Sequence, residues 1–331
     1  MKDFSVSVIV PFYNAESYIE KCAHSLFSQT LEGIQFVFVN DKSTDGSVER
    51  LNNVIKQYPS RAMDVVIINH EKNKGAATSR NTGIEHVQGE YIGWVDADDW
   101  VEQDMFEMMY NQAVTKDLDI VWIDFYNSYG EKERLISQEC DGNNLEYIKK
   151  MLNGRLSGVM WNKLTKRSIY IENDIRFQDG LDMGEDLRVN VQLFYYSRKI
   201  EYLKGVFYHH FKMKIDSITR ISFFKPKINL DWLENTKAII AFAQDCGIEL
   251  SETEVGLMKL GPKVNLLVRG VDINTFKTWR IIFPEANRFI WKTSLPFHYK
   301  IIGCCADKEY WFLLNLWIKL KRLFKRNEIG S

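Results

Sequence analysis

Four short apolar runs at regular spacing constrain the fold of this chain more than any other feature of its sequence. The runs are Val6–Val10, Gln35–Asn40, Asp64–Asn69 and Tyr91–Asp96. Each is rich in Val, Ile and Phe and lacks polar alternation, which is typical of strands buried on both faces of a parallel sheet. Their starts recur at intervals of about 30 residues, the length of a βαβ unit.

Helix-like segments between the runs complete the alternation. Apolar residues recur at helical spacing over 19–27 and 48–55. Alternating strands and helices indicate the α/β class with a doubly wound, mostly parallel sheet. Because ligands of such sheets bind beyond the carboxyl ends of the strands, we expect the functional site in the polar segments that follow the runs. These segments are Pro11–Asn14, Asp41–Gly46, Asn69–Gly75 and Asp96–Asp99.

Charge balance and cysteine content limit the partners and the compartment. Across 331 residues, 43 Lys and Arg nearly cancel 44 Asp and Glu, so the net charge of -1 gives no reason to expect a nucleic-acid partner. The five cysteines show no CxxC or zinc spacing, which fits a reducing compartment. The first apolar run is cut by Pro11, and no stretch reaches the roughly 20 apolar residues of a membrane span. We therefore expect a cytoplasmic protein.

Two carboxylates at the fourth strand end predict how a nucleotide diphosphate is held. No GxGxxG or GxxxxGK[ST] loop follows a strand, so a glycine-rich phosphate cradle is not expected. Asp96 and Asp98 leave the strand as alternate residues and can aim both carboxylates at one cation, and such hard oxygen ligands select Mg2+ or Mn2+. An acidic triplet alone often only makes a turn, but its place at a strand end favours a metal.

Polar and basic residues at the second and third strand ends extend the predicted donor site. Asp41 is placed to accept hydrogen bonds from a base edge or a ribose, whereas Asp45 suits the capping of the next helix. Lys72, Lys74 and Arg80 supply the positive charge that a diphosphate requires. Each of these three, taken singly, is also an ordinary solvated residue.

The four strand ends together resemble glycosyltransferase family 2 on the GT-A fold. The resemblance rests on SVIVPFYN (7–14), NDKSTDG (40–46), NKGAATSRNTG (73–83) and DADD (96–99), in the family's order and spacing. It spans at least residues 1–220, which would form the nucleotide-sugar-binding and catalytic domain. Residues 221–331 are largely helical in pattern, and a soft boundary between the two is placed near 220.

The resemblance also implies roles for individual residues. The residues expected to bind the nucleotide are Pro11, Tyr13, Asp41, Lys74, Arg80 and Asp96. Asp98, together with Asp96, is expected to ligate the metal. Arg80 resembles the arginine of the family's ARN element, although Ser79 stands where alanine is usual.

The acceptor side is predicted at Glu185 and Asp186. Inversion at an anomeric carbon needs one carboxylate to take the proton of the acceptor hydroxyl, while a metal stabilises the leaving diphosphate. The pair opens an amphipathic stretch, where the helix dipole alone also favours acids. The segment resembles the family's ED motif, which implies that Asp186 is the base and Glu185 a supporting acceptor contact.

Further acceptor and metal contacts are suggested by two other segments. Trp161, Asn162 and Lys163 resemble the WNK segment that precedes ED in polysaccharide-building members, which implies an acceptor contact in which the indole stacks on a sugar. A buried core tryptophan is the alternative. His209 or His210, after a predicted strand over 204–208, is open as a metal ligand or as a structural residue.

A third segment matches a family pattern only in part. Family members of this kind often carry an arginine-bearing stretch before Ser-Ile-Thr, and here Lys212 precedes Ser217, Ile218 and Thr219.

The C-terminal segment 310–326 has five basic residues and no acidic one. On a helix, Asn315, Lys319, Arg322 and Arg326 share one face, and Leu313, Leu314, Trp317, Leu320 and Phe324 fall largely opposite. This pattern is typical of an interfacial helix on anionic lipid. The alternative is a terminal helix that docks its apolar side on the core.

These observations predict an inverting, metal-dependent glycosyltransferase of the hexosyltransferase type. It would move a sugar, from UDP by resemblance, to a saccharide or lipid-linked acceptor at the inner face of a membrane, in surface polysaccharide or glycolipid biosynthesis. A sugar nucleotidyltransferase would also use a cation and an α/β sheet, but would not need a base in a separate segment. A noncatalytic binding protein would tolerate loss of the acids, all of which are present.

Overall fold

The apolar runs of the sequence form strands in a computed structural model, which describes residues 3–213, 226–270 and 272–327. In chain order, the first elements are β1 (Val6–Phe12), α1 (Ile19–Phe27), β2 (Ile34–Asn40), α2 (Ser47–Ile55), β3 (Val65–Asn69), α3 (Ala76–His86) and β4 (Tyr91–Trp94). The strands pair in parallel in the order β3, β2, β1, β4. The predicted alternation and the parallel pairing are confirmed.

Burial of the central strands explains their unbroken apolar composition. Every residue of β2 is buried, and so is every residue of β1 except Pro11. Helix α3 lies very close to β1, because a Cβ at Gly83 would be only 2.3 Å from Ile9 Cγ2. A glycine at this position therefore sets the distance between helix and sheet.

The remaining elements of this part widen the sheet with strands of both directions. They are β5 (Trp100–Val101), α4 (Met105–Lys116), β6 (Ile120–Tyr129), β7 (Lys132–Ile136), α5 (Asn144–Leu152), β8 (Lys163–Lys166), α6 (Arg167–Glu172), α7 (Glu185–Tyr196) and β9 (Ile200–Phe211). β8 lies between β4 and β6 and is antiparallel to both, whereas β9 is parallel to β6. β5 pairs antiparallel with β9, and β7 pairs antiparallel with β6. The described sheet is thus mostly parallel in strand direction, as predicted, with three antiparallel insertions.

The chain divides into two compact units, Met1–Ser217 and Ile218–Ser331. The described elements of the second are helices: α8 (Pro226–Asp245), α9 (Glu252–Leu260), α10 (Val264–Arg269), α11 (Ile273–Ile281), α12 (Phe297–Asp307) and α13 (Trp311–Asn327), with short 3-10 helices at Gly261–Lys263 and Pro284–Lys292. This unit has its own core, built around Leu267, Phe276 and Trp279. None of the described helices combines the length and the apolar character needed to cross a membrane.

Helix α13 divides its apolar residues between two environments. Leu314 and Ile318 are buried in the core of the second unit. Phe312, Leu313, Leu316 and Leu320 are exposed, with Phe312 80% accessible. The prediction of a single apolar face that includes both Leu313 and Leu314 is therefore wrong for these two residues. The side chains of Arg322, Phe324 and Arg326 lie outside the described part of the chain.

Candidate active site

Asp41 organises the donor side of the predicted site. It follows β2 and is buried. Its Oδ1 accepts hydrogen bonds from His70 Nδ1 and from the backbone N–H of Lys74, both at 2.8 Å, and its Oδ2 accepts one from the N–H of Gly75 at 2.8 Å. Because three donors converge on this carboxylate, Asp41 fixes the loop that joins β3 to α3. A direct contact of Asp41 with a base or a ribose remains a prediction.

The other predicted nucleoside residues lie at the same edge of the sheet. Pro11 is part of β1 and half-buried, whereas Tyr13, just beyond the strand, is exposed. Asn14 Oδ1 accepts a hydrogen bond from the N–H of Thr44 at 2.8 Å, which ties together the loops after β1 and β2. The side chain of Lys74 is exposed. The carboxyl ends of parallel strands thus bring Tyr13, Lys74 and the Asp41 loop to one side of the fold.

A group of carboxylates follows β4. Asp96 and Asp98 are half-exposed, whereas Asp99 is buried and accepts hydrogen bonds from the Tyr208 hydroxyl and the Phe211 N–H, both at 2.7 Å. Burial, followed by the charges of Asp98 and Asp96, raises the pKa of the Asp99 carboxyl well above its usual value. The carboxylates are therefore close enough to repel one another, and β9 anchors the segment that carries them.

Arg80 connects this group with the predicted acceptor carboxylates. Its guanidinium, 10% exposed, lies 2.9 Å from Glu185 Oε1, 3.6 Å from Asp186 Oδ1 and 3.8 Å from Asp96 Oδ1. Burial alone would lower the pKa of Arg80, but the charges of Asp186, Glu185 and Asp96 raise it above its ordinary value. Arg80 is thus a permanent cation between the two halves of the site, in contact with carboxylates of both.

The two acids that open α7 have different surroundings. Glu185 is buried, and burial, followed by the charge of Asp186, raises the pKa of Glu185 to about 7 against the opposing effect of Arg80. Asp186 is 20% exposed. Its Oδ2 accepts a hydrogen bond from the Met160 N–H at 3.3 Å, while its Oδ1 accepts none from the described residues. Asp186 is thus the more accessible of the two carboxylates, and its Oδ1 is itself buried, 3.6 Å from Arg80 Nη2.

Trp161 lies in the interior rather than in an open cleft. Its indole stacks on the Tyr208 ring, with centroids 4.3 Å apart and planes at 14°, and meets Phe125 edge-on at 4.6 Å. The side chain is buried. The indole faces are thus occupied by the core, which is the alternative that the sequence left open, and stacking on a sugar is not supported by this geometry.

Asn162 and Lys163 are also buried and bond to backbone groups. Lys163 Nζ donates hydrogen bonds to the carbonyls of Ser157 at 2.8 Å and Val159 at 2.7 Å, and to Asn162 Oδ1 at 2.8 Å. Burial lowers the pKa of Lys163 to about 7. The two side chains therefore hold the loop 157–160. The backbone N–H of Met160, at the end of this loop, donates the hydrogen bond to Asp186. Their geometry favours positioning this loop over contacting an acceptor directly.

The two histidines after the predicted strand lie within β9 and differ in their partners. His209 Nε2 contacts Glu102 and Nδ1 contacts Glu133, each at 2.8 Å, so both ring nitrogens are engaged. His210 is half-buried, and burial, followed by the charge of Lys212, lowers its pKa to about 3. The geometry of His209 is structural, and His210 is a neutral imidazole beside Trp161.

The donor set of Asp96 and Asp98 fits a divalent cation that bridges to a diphosphate. Mg2+ is usually bound through one or two carboxylates, with substrate phosphates and waters completing its shell. Within the described ranges there is no group of three or more His, Cys, Asp and Glu side chains that could hold a metal unaided. Two half-exposed carboxylates are therefore suited to a metal that arrives with the donor. The Ser217–Thr219 segment lies outside the described residues.

Three residues that the sequence patterns did not single out contribute to the site. His70 and Tyr208 hold Asp41 and Asp99, as described above. Asp182 Oδ1 accepts a hydrogen bond from the Ala77 N–H at 3.0 Å, at the start of α3. Gly75 has φ +90°, and a Cβ there would lie 2.5 Å from Asp182 Oδ2, so this contact requires glycine. In the sequence, the glycine of the NKG triplet at 73–75 was the one sign that another segment packs closely against this loop.

Comparison with known proteins gives a consistent result. A family model described as Glycosyl transferase family 2 matches residues 7–173. The chain is 30% identical over 250 residues to the uncharacterized glycosyltransferase EpsJ of Bacillus subtilis, a match that covers 73% of this chain and 71% of EpsJ. The match therefore extends well beyond the strand-end motifs.

Solved structures share the fold. Residues 1–349 of TarS from S. aureus, in complex with UDP-GlcNAc, superpose with a TM-score of 0.67 at 18% identity, covering 93% of this chain and 91% of that one. The mannosyltransferase PcManGT from Pyrobaculum calidifontis, in complex with GDP-Man and Mn2+, gives 0.55 at 13% identity, covering 92% and 87%. At such identities the likeness concerns the fold, and the predicted GT-A architecture is confirmed.

Proposed function

The chain belongs to glycosyltransferase family 2, and we propose that it is an inverting transferase that moves a sugar from a UDP-linked donor to an acceptor hydroxyl. One observation carries this proposal. Arg80 contacts Asp96, at the donor strand end, and also Glu185 and Asp186, at the start of α7. The predicted metal-binding and base carboxylates thus flank one buried cation, and a single sugar could reach both.

The donor would bind at the carboxyl ends of β1 to β4. Tyr13 and Lys74 are exposed there, beside the loop that Asp41 holds. Asp96 and Asp98 would bind Mn2+ or Mg2+, which supplies positive charge to the leaving diphosphate. The solved structure of PcManGT is a complex with GDP-Man and Mn2+, and that of TarS a complex with UDP-GlcNAc. These complexes support the metal and the uridine nucleotide as first choices.

Asp186 would act as the general base. Its Oδ2 is held by the Met160 N–H and its Oδ1 lies 3.6 Å from Arg80 Nη2. The carboxylate, 20% exposed, would take the proton of the acceptor hydroxyl. The hydroxyl oxygen then forms a bond to the anomeric carbon as the bond from that carbon to the diphosphate oxygen breaks. Attack from the face opposite the leaving group inverts the configuration.

A membrane location would bring the enzyme to a lipid-linked acceptor in surface polysaccharide or glycolipid biosynthesis. Phe312, Leu316 and Leu320 are exposed at intervals of four residues along α13, next to exposed Lys319. An apolar stripe beside basic residues has the chemistry of a helix that lies on anionic lipid. We propose that α13 makes this peripheral contact from the cytoplasmic side.

Liposome sedimentation tests the membrane proposal. The full chain should sediment with anionic vesicles, and Phe312→Glu together with Leu316→Glu should abolish this binding. A matched control is Leu135→Glu, which charges an exposed leucine in the first unit. Equal sedimentation of all three proteins would contradict the role of α13.

A panel of nucleotide sugars, each with and without Mn2+, tests the transferase proposal. A donor that binds the folded state raises the unfolding temperature, and the rise grows as the donor concentration exceeds the dissociation constant. One UDP-sugar should therefore stabilise the chain only when Mn2+ is present. Transfer to an acceptor preparation should release UDP, and NMR should show the inverted anomer. No stabilisation by any nucleotide sugar, or a product with retained configuration, would overturn the proposal.

A further inference from the structure

An open cavity of about 360 Å³ lies in the first unit, between β6, β7, α5 and the start of α7. Its volume is within the range of small-ligand sites, roughly 300–1,000 Å³. The residues that line it are Phe125, Ile136, Gln138, Met151, Gly154, Leu156, Ser157, Gly158 and Leu187. Phe125, Met151 and Leu156 are buried, and Ile136, Ser157 and Leu187 are half-exposed. Most of its wall is therefore apolar.

The cavity adjoins the candidate base. Leu187 follows Asp186 directly in α7, and the wall formed by Ser157 and Gly158 continues into Met160, whose N–H donates to Asp186 Oδ2. The fit between these walls is close, because a Cβ at Gly158 would lie 2.7 Å from Leu187 Cδ1. An acceptor whose hydroxyl lies at Asp186 would thus have this cavity beside it.

The polar side chain of Gln138 in the cavity wall already has hydrogen-bond partners within the protein. Gln138 is buried, its Oε1 accepts a hydrogen bond from the Ser157 N–H at 2.7 Å, and its Nε2 donates to the Ser137 carbonyl at 2.8 Å. Both ends of the amide are therefore satisfied within the protein. A ligand in this cavity would gain mainly from burying apolar surface.

We propose that this cavity is a subsite for an alkyl group attached to the acceptor sugar. The inference rests on the proposed function, because it assumes that Asp186 faces the acceptor hydroxyl. The alkyl chain of the aglycone lies against Phe125, Met151 and Leu187 while the sugar occupies the space in front of Arg80 and Asp186. The enzyme consequently prefers acceptors that carry a chain over the same sugar without one.

Paired acceptors test this preference. Transfer by the full chain is measured with methyl and octyl glycosides of the same set of sugars. Burial of a methylene contributes about 0.8 kcal/mol, so burial of two raises kcat/KM by about tenfold or more for the octyl compound. Equal values for the two aglycones, whatever the sugar, overturn the subsite and leave the transferase proposal standing.

Neighbouring residues of β7 provide a variant and its control. Ile136 lines the cavity, whereas Leu135, on the opposite face of the strand, is 50% exposed and does not. Ile136→Glu should remove the octyl preference, because it places a charge in the wall that the alkyl chain contacts. Leu135→Glu should preserve the preference. An unchanged preference in folded Ile136→Glu, or its loss in both variants, contradicts the proposal.

Photolabelling keeps the proposal testable if Ile136→Glu does not fold. An octyl glycoside with a diazirine at the end of its chain is irradiated with the wild-type chain, and the labelled peptides are identified by mass spectrometry. Labels in segments 125–138 and 151–158 uphold the subsite, even where no transfer is detected. Labels confined to other segments, such as the exposed face of α13, overturn it.

Discussion

The donor and acceptor sides of the catalytic unit are built around buried charges of opposite sign. On the donor side, the Asp41 carboxylate accepts backbone N–H groups from Lys74 and Gly75. On the acceptor side, the Lys163 ammonium donates to the backbone carbonyls of Ser157 and Val159. Each side chain thus fixes one loop of the site. Each loop is therefore held by its own buried side chain, and the two sides come into contact at Arg80 and where Asp182 accepts the Ala77 N–H.

Because each loop is held by its own side chain, variants of the two sides should differ in which kinetic quantity they change. A change on the donor side should alter donor affinity, and a change on the acceptor side should alter the rate of transfer. A change at Arg80 should affect both, since it contacts Asp96, Glu185 and Asp186.

Arg80→Met should have the largest effect. It leaves buried Glu185 without its cation, and breaking a buried ion pair costs roughly 3–5 kcal/mol of the free energy of unfolding. We expect transfer to fall by about 10³-fold or more, because positioning on both sides is lost. Urea unfolding and initial rates measure the two effects.

The matched control is Arg50→Met. Arg50 pairs with Glu16 and Glu20 at the surface, where ion pairs contribute little to stability. If both variants were equally active, Arg80 would not connect the two sides.

Lys163→Met should lower kcat and leave the dissociation constant of the donor unchanged. The substitution removes one hydrogen-bond donor from each of the carbonyls of Ser157 and Val159 and releases the loop that ends at Met160. Displacement of a catalytic group by about 1 Å can cost 10²-fold, so a fall of roughly 10- to 100-fold is expected. Lys166→Met, in the same strand but paired with exposed Asp117, should retain near-normal kcat. A rise in the donor dissociation constant of Lys163→Met would contradict the prediction that acceptor-side variants leave donor affinity unchanged.

Glu185→Gln should change the pH dependence. With a pKa of about 7 for Glu185, the wild-type rate should rise with pH through neutrality as Glu185 ionises and pairs with Arg80. One unit below this pKa the rate should be about tenfold lower. The variant should lack this inflection. A profile identical to wild type would show that Glu185 does not control the activity.

Glu185 should also make the free energy of unfolding depend on pH. Because its pKa is raised from 4.5 to about 7 on folding, the folded state keeps a proton that the unfolded state releases between these values. The stabilisation from Glu185 is therefore complete below pH 4.5 and is lost as the pH rises through about 7. Chemical unfolding at several pH values should show a smaller fall in stability for Glu185→Gln than for wild type.

His70→Gln should have the smallest effect, and on the donor side alone. Loss of the 2.8 Å hydrogen bond to Asp41 removes about 1 kcal/mol, which corresponds to roughly a fivefold rise in the dissociation constant of the donor. The kcat should stay near the wild-type value, as isothermal titration and steady-state rates would reveal. A large fall in kcat with unchanged donor affinity would reverse the assignment of the two sides.

The donor side was largely predictable from the sequence because strands buried on both faces leave unbroken apolar runs. The runs that contain Val8 and Phe36 predicted two central strands. The second and fourth runs placed Asp41 and Asp96 at strand ends. Helix α1 also buries the apolar face that its spacing predicts, from Ile19 to Phe27.

The acceptor side was less predictable because its order depends on contacts between distant segments. β8 reads Lys-Leu-Thr-Lys, and its lysine Lys163 is buried, which no hydropathy pattern indicates. Trp161 was interpreted either as an acceptor platform or as a core tryptophan, and the contact that distinguishes the two, its stacking on Tyr208, is made by a distant segment. Glu185, a partner of Arg80, lies 105 residues away, so neither motif alone revealed their pairing.

The most direct test compares Asp186→Asn with Asp98→Asn. With Mn2+ and the UDP-sugar that the panel identifies, Asp186→Asn should bind the donor within about twofold of wild type, while its single-turnover transfer rate falls by about 10²- to 10⁴-fold. Asp98→Asn should instead lose the Mn2+-dependent part of donor binding. Transfer by Asp186→Asn at a rate near that of wild type would contradict the assignment of Asp186 as the base.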